Sequence, residues 1–220
     1  PYDYSVFDEQ IFLRPYNGEV VKAIDYELSR GCIYTCSYCV ETIIQRYYDF
    51  GSYNQNGTLK NFKSYLRNKS AKKILKEIIN LKKSKKINLI RCQDTNFLTI
   101  NRKVLEELGN LFVKNNIHVK LYIETRAEGI NKSSIELLKR LNVDGIGMGL
   151  ELSDEQYRES ALNRFTDQQK IINAFKLLKE NNIKRTAYNI IGLPNQNEKS
   201  IINTIKFNSF LKPDVCSVAF

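Results

Sequence analysis

The sequence holds a single histidine, His118, and no uninterrupted run of the roughly 18 apolar residues that a membrane-spanning helix needs. One histidine and no second CxxC pair leave a zinc site short of its usual four ligands. The N-terminus lacks the basic, apolar, small-residue order of a secretory signal, so a soluble, cytoplasmic protein without a membrane partner is the expectation. There is no initiator Met: the chain opens at Pro1 and stops at Phe220 after an apolar run, and so reads as the middle piece of something longer. Acidic residues are also short, 24 against 34 Lys and Arg. That balance suits RNA, an acidic substrate or plain solubility. Much of the excess, from Lys72 and Lys73 through Lys76, Lys82, Lys83, Lys85 and Lys86, falls in and just after one predicted helix, where a charge run is usually a solvated face.

With 42% hydrophobic residues in 220, the chain can bury one full core. From residue 70 onward, apolar runs of strand length alternate with amphipathic helical stretches, the pattern of βα units around a parallel sheet. Six strands are predicted: Ala23 to Leu28, Ile87 to Arg91, Val119 to Ile123, Gly145 to Leu150, Thr186 to Ile191 and Val215 to Phe220. Ser70 and Asn101 stand where helices begin, Thr166 with Gln169 fits a capping box, and a further helix is expected over Glu198 to Leu211. The fold class is therefore α/β, a partial (βα)6 barrel of parallel strands with outer helices, whose functional loops gather at the strand C-terminal ends. Residues 23–220 would form this core and residues 1–22 a linker leading into it. The first crossover is abnormally long and carries Tyr47, Tyr48, Phe50, Tyr53, Phe62 and Tyr65. Such an insertion is either functional or a surface meander whose aromatics pack on the helix layer.

Five cysteines in a cytosolic chain argue for metal or redox chemistry before disulfides, and three of them, Cys32, Cys36 and Cys39, fall within eight residues as CxxxCxxC. Three thiolates on one short loop can hold three irons of a cubane and leave the fourth without a protein ligand. That open iron can take a small chelating ligand. A cluster that only transfers electrons would want a fourth cysteine, and Cys92 and Cys216 sit in predicted strands, where a small buried hydrophobe is the commoner role.

The string Cys32-Ile33-Tyr34-Thr35-Cys36-Ser37-Tyr38-Cys39 resembles the signature of the radical S-adenosylmethionine (SAM) superfamily, and the likeness runs over nearly the whole chain. The resemblance implies that the cysteines hold a 4Fe-4S cluster and that Tyr38 packs against the SAM adenine. Cys92-Gln93-Asp94-Thr95 stands where relatives present a motif to the SAM amino group; their glycine pair with glutamate is absent, which makes Asp94 a substitute, with Gln93 behind it. Asp94 read locally could equally cap the following loop. Glu124 is similar to an acidic SAM contact of the oxygen-independent coproporphyrinogen oxidase branch. Glu151 matches a residue that bonds the ribose hydroxyls, and Arg164 one that pairs with the methionyl carboxylate. For Glu124 and Arg164 a surface salt bridge is the plain alternative. Gly192, in Gly192-Leu193-Pro194, would admit backbone close to the adenine, or simply end a strand.

Glu27-Leu28-Ser29-Arg30-Gly31-Cys32 and Tyr157-Arg158-Glu159-Ser160-Ala161-Leu162-Asn163-Arg164 resemble the cobalamin-binding branch of that superfamily. The resemblance implies a cobalamin domain N-terminal to this core in a longer parent, an external electron donor, and methyl transfer or rearrangement of a substrate that the sequence does not name. Two other readings stay open: an RNA-modifying methylthiotransferase, and an iron-sulfur electron-transfer or binding module that ignores SAM.

Overall fold

The computed structural model describes residues 3–220. Two strands come first, β1 (Leu13–Tyr16) and β2 (Glu19–Tyr26), joined as an antiparallel hairpin. Asn17 and Gly18 turn it with φ of 56° and 82°, the two positive values that a two-residue hairpin loop requires. This hairpin lies largely in the stretch expected to be a linker, of which Pro1 and Tyr2 are outside the described residues. A short strand β3 (Ser29–Arg30) pairs with β4 (Arg67–Asn68), and between them lie helices α1 (Val40–Tyr47) and α2 (Phe62–Tyr65).

Regular alternation follows: α3 (Ala71–Lys85), β5 (Leu89–Cys92), α4 (Arg102–Lys114), β6 (Lys120–Thr125), α5 (Lys132–Arg140), β7 (Val143–Glu151), α6 (Glu155–Ser160), α7 (Gln168–Glu180), β8 (Lys184–Ile190), α8 (Glu198–Leu211) and β9 (Val215–Ala219). The sheet order is β1-β2-β5-β6-β7-β8-β9, and the pairs from β2 to β9 are all parallel. Each parallel neighbour needs a crossover, which the helices supply on one side. The result is the curled, open partial barrel with outer helices that the alternation predicts, with β1 added at one edge.

The two faces of the sheet differ in chemistry. Outward, Ile24, Ile90, Leu121, Ile123, Ile146 and Met148 join the helices in one core with Ile74, Ile78, Leu105 and Phe175. Fully burying a side chain such as Ile74 or Ile78 stabilises the fold by about 1.5–3 kcal/mol. Inward, Gly145, Gly147 and Gly149 alternate along β7, and a Cβ at Gly147 would stand 2.4 Å from the Tyr188 ring and 2.8 Å from the Tyr122 hydroxyl. Missing side chains on the central strand thus make room for tyrosines from both neighbouring strands.

Ser70 and Asn101 cap α3 and α4 as expected, accepting from the backbone N–H of Lys73 and Lys103. The capping box at Thr166 does not form. Asp167 caps α7 instead, and Thr166 is buried with its hydroxyl bonded to Arg126 and Glu128. Cys92 is a core residue, whereas Cys216 is exposed, because β9 is the edge strand on its side of the sheet. Of the aromatics in the long crossover only Tyr65 is buried; its ring packs 5.0 Å from Phe50, while Tyr47 and Tyr48 are largely exposed. Lys72, Lys73, Lys76, Lys82, Lys83 and Lys86 are exposed, as a solvated helix face should be. No helix among the described residues is long and apolar enough to cross a membrane.

Candidate functional site

The cysteine loop opens at Gly31, whose φ of +94° and contact with Tyr65 leave no room for a side chain: a Cβ there would meet the Tyr65 ring at 3.0 Å. The buried Gln45 amide of α1 then donates to the Cys32 and Tyr34 carbonyls at 2.9 Å each, and the Thr42 hydroxyl donates to the Cys36 carbonyl at 2.8 Å. Residues more than a hundred positions away complete the hold. Asn163 donates to the Thr35 carbonyl at 2.8 Å, and Ser37 bonds to the Ala161 and Leu162 carbonyls. Asp94, only 2% exposed, accepts from the Leu28 and Ser29 backbone N–H groups at 3.1 and 2.6 Å and from the Ser29 hydroxyl at 2.6 Å. Burial pushes its carboxyl above the ordinary value in spite of those donors.

Cys32, Cys36 and Cys39 line one cavity of about 240 Å³ at the strand C-terminal ends, together with Tyr38, Glu124, Arg126, Glu151, Arg164 and Tyr188. Glu151 sits where β7 breaks register with β8, at a φ of 63°, and faces Arg164 at 3.5 Å. Arg164, 5% exposed, also donates to the Gly149 carbonyl at 2.6 Å and to the Tyr38 hydroxyl oxygen at 3.3 Å. Glu124 accepts from the Tyr188 hydroxyl at 3.1 Å, and Tyr188 meets Tyr122 at 3.0 Å. The cavity therefore gathers Tyr38, Glu124, Glu151 and Arg164 around the three thiols.

Gln93, Asp94 and Gly192 do not line it. Gln93 donates to Asp25 of β2 at 2.8 Å and lines a separate pocket with Tyr4, Asp25 and Arg30. The carboxylate oxygens of Asp94 are both turned to the start of the cysteine loop. A Cβ at Gly192 would meet nothing within 4 Å, so space is not what selects glycine there. Its φ of +81°, with its N–H donating to Gln196, is the conformation that does.

Sequence reasoning missed Arg126. Its guanidinium lies 3.8 Å from the Tyr34 ring centroid, bonds Glu128 and Thr166, and donates to Cys36 Sγ at 3.4 Å. Burial would raise the Glu128 carboxyl, but Arg126 holds it below its ordinary value of 4.5. Arg126 stands two positions after Glu124, but nothing local indicated that it would meet a sulfur 90 positions away.

The donor set fits an iron-sulfur cluster with one open iron. Three thiols of one loop face one space, and the other two cysteines lie outside it. Burial pushes the Cys32 thiol up to about 12 and raises Cys39, so a metal bound there would have to displace protons from both. Among the described residues no three Cys, His, Asp or Glu side chains converge on a single ion. Ligands to three different irons of a cluster have no need to do so. Arg164 Nε is buried with no hydrogen-bond partner among the described residues, leaving donor capacity in the cavity that the thiols line.

The chain is 26% identical over 193 residues to the anaerobic magnesium-protoporphyrin IX monomethyl ester cyclase of Rubrivivax gelatinosus, covering 87% of this chain and 31% of that protein. Among solved structures it resembles the radical S-adenosylmethionine methyltransferase TsrM of Kitasatospora setae, with a TM-score of 0.72 and 14% identity over 90% of this chain and 35% of that one. It also resembles the cobalamin-dependent S-adenosylmethionine radical enzyme OxsB, with a TM-score of 0.62 and 19% identity over 84% of this chain and 26% of that one. The chain thus spans about a third of the length of these relatives. At such identities the solved structures speak for the fold alone. The family model of the radical SAM superfamily, however, matches residues 26–207, from the end of β2 into α8, and on that match the chain belongs to the radical SAM superfamily.

Proposed function

We propose that this chain binds a 4Fe-4S cluster through Cys32, Cys36 and Cys39 and uses it to cleave SAM reductively. The observation that carries the reading is the single cavity in which the three thiols stand beside Arg164, Glu151, Tyr38 and Glu124. When bound, the cluster supplies one electron to the SAM sulfonium, whose carbon–sulfur bond breaks to give methionine and a 5′-deoxyadenosyl radical that takes a hydrogen atom from substrate.

The chain's own residues position and shield. Arg164 offers a two-pronged donor to the methionyl carboxylate, Glu151 offers acceptors to the ribose hydroxyls, and Tyr38 offers its ring to the adenine. Glu124, exposed on β6, is the further acidic contact. Asp94 acts at one remove by fixing the first turn of the cysteine loop, and Gln93 and Gly192 support the neighbouring strand ends. The electron comes from an external one-electron donor.

The fold shared with TsrM and OxsB favours the cobalamin-using branch, in which the whole protein would carry cobalamin and transfer a methyl group or rearrange a carbon skeleton. The test is anaerobic reconstitution with iron and sulfide, followed by the paramagnetic spectrum of the reduced cluster before and after SAM. A changed spectrum with release of 5′-deoxyadenosine, both lost in Cys36→Ala, is expected. A cluster whose spectrum ignores SAM would leave the electron-transfer module as the reading.

A further inference from the structure

Arg126 has no part in the SAM contacts above, yet its side chain is among the most constrained in the cavity. Its Nε donates to Glu128 Oε1 at 3.1 Å, and its Nη2 to the same oxygen at 2.6 Å and to the Thr166 hydroxyl at 2.8 Å. Nη1 donates to Cys36 Sγ at 3.4 Å, while the Tyr34 ring supports the guanidinium plane at 3.8 Å. Four of the five N–H groups are committed, and the residue is 7% exposed. One spare N–H cannot grip a carboxylate from two sides as Arg164 can. The whole arrangement serves to hold a positive charge and one N–H against one sulfur.

The three sulfurs are not treated alike. Cys36 Sγ has Arg126 at 3.4 Å and Arg164 at 4.0 Å, whereas Cys32 Sγ accepts from the backbone N–H of Tyr34 at 3.5 Å. Reduction adds one negative charge to a cluster and its thiolates. Hydrogen bonds to the sulfurs and nearby charge are what set the potential of such a centre. We propose that Arg126 is a positioning and tuning residue that raises the reduction potential of the cluster through Cys36, easing entry of the electron from the external donor. This rests on the cluster assignment of the preceding section but not on SAM cleavage. The only event is transfer of one electron from a low-potential donor to the cluster; no bond forms or breaks.

The requirement for arginine follows from the geometry. A lysine could place a charge near Cys36, but it could not bond Glu128, Thr166 and sulfur in one plane over a tyrosine ring. Glu128 fixes the fork and offsets part of its charge from the side away from the sulfur.

The experiment is a titration of the reconstituted full chain with titanium(III) citrate, following the visible and paramagnetic spectra, for wild type, Arg126→Gln and Arg126→Lys. In Arg126→Gln the one-electron equilibrium should fall about tenfold, a midpoint lower by about 59 mV. Arg126→Lys, which keeps a charge but not the fixed fork, should recover only part of that loss, with SAM affinity in both variants within about threefold of wild type. A midpoint unmoved in Arg126→Gln overturns the proposal. So does a loss of SAM affinity with no change in midpoint, which would make Arg126 a SAM ligand. If Arg126→Gln takes up no cluster, Arg126→Lys decides: keeping the charge while losing the fixed N–H on Cys36 should lower the midpoint by less than about 59 mV, and a midpoint that stays at the wild-type value or rises overturns the proposal. A wild-type cluster that titrates normally but ignores SAM would refute the cleavage reading and leave this comparison intact.

Discussion

The Tyr38 hydroxyl donates to Glu151 Oε1 at 2.8 Å, tying the cysteine loop to the end of β7 across 113 positions of sequence. Arg164 Nη1 lies 3.3 Å from the same hydroxyl oxygen and 3.5 Å from the same carboxylate oxygen, so three expected SAM contacts hold one another. Two effects compete at Glu151. Its φ of 63° is a conformation that costs a non-glycine residue about 1 kcal/mol or more. Its carboxylate is the partner of a buried arginine, and removing such a partner costs about 3–5 kcal/mol.

The pairing should win. Glu151→Gly relaxes the backbone but strands Arg164, and the net expectation is a loss of about 2–4 kcal/mol in chemical denaturation. A more stable variant would mean that backbone strain is the larger effect.

Asp94 tests whether a residue held outside the cavity acts on SAM or on the loop. Asp94→Asn replaces one accepting oxygen with a donor, which faces the N–H of Leu28 or Ser29 at a cost of about 2 kcal/mol. Iron should then leave the reconstituted protein faster in the presence of a chelator, while SAM affinity per cluster stays near wild type. Weakened SAM binding with iron retention unchanged would instead make Asp94 a ligand.

Asp144 joins the N-terminal hairpin to the barrel: it accepts from the Tyr16 hydroxyl at 2.8 Å and pairs with Lys120 at 2.9 Å and Lys184 at 3.4 Å. Burial works to raise its carboxyl, but these partners hold it below the ordinary 3.8. A carboxyl lowered in the folded state contributes stability above its unfolded value and loses it as pH falls through the folded one. Asp144→Asn should therefore lower stability by roughly 1 kcal/mol at neutral pH, and the difference should shrink toward zero well below 3.8. Urea unfolding at both acidities is the check; a difference that persists in acid would point to packing and not charge.

How far the sequence is legible depends on the range of the interaction. The alternation of apolar runs announces six parallel strands because each run must bury one face, and burial is a local property of the run. Asn17-Gly18 carries a hairpin signal just as local, the positive φ that such a pair accepts, although residues 1–22 read as a linker leading into the core. Thr166 and Gln169 have capping-box spacing, but Asp167 offers the better-placed oxygen and frees Thr166 for Arg126.

The cysteine spacing by itself determined that Cys32, Cys36 and Cys39 share one loop, since they fall within eight residues. The alternation by itself determined the barrel class. Only the tertiary structure decided which polar residues meet those thiols. It brought Arg126 and Arg164 to Cys36 from 90 and 128 positions away, and it turned Gln93 and Asp94 out of the cavity. The physical reason is that a side chain's partner is set by where neighbouring strands end and which way each loop leaves the sheet. Those quantities come from the packing of the whole core, and no single segment contains them.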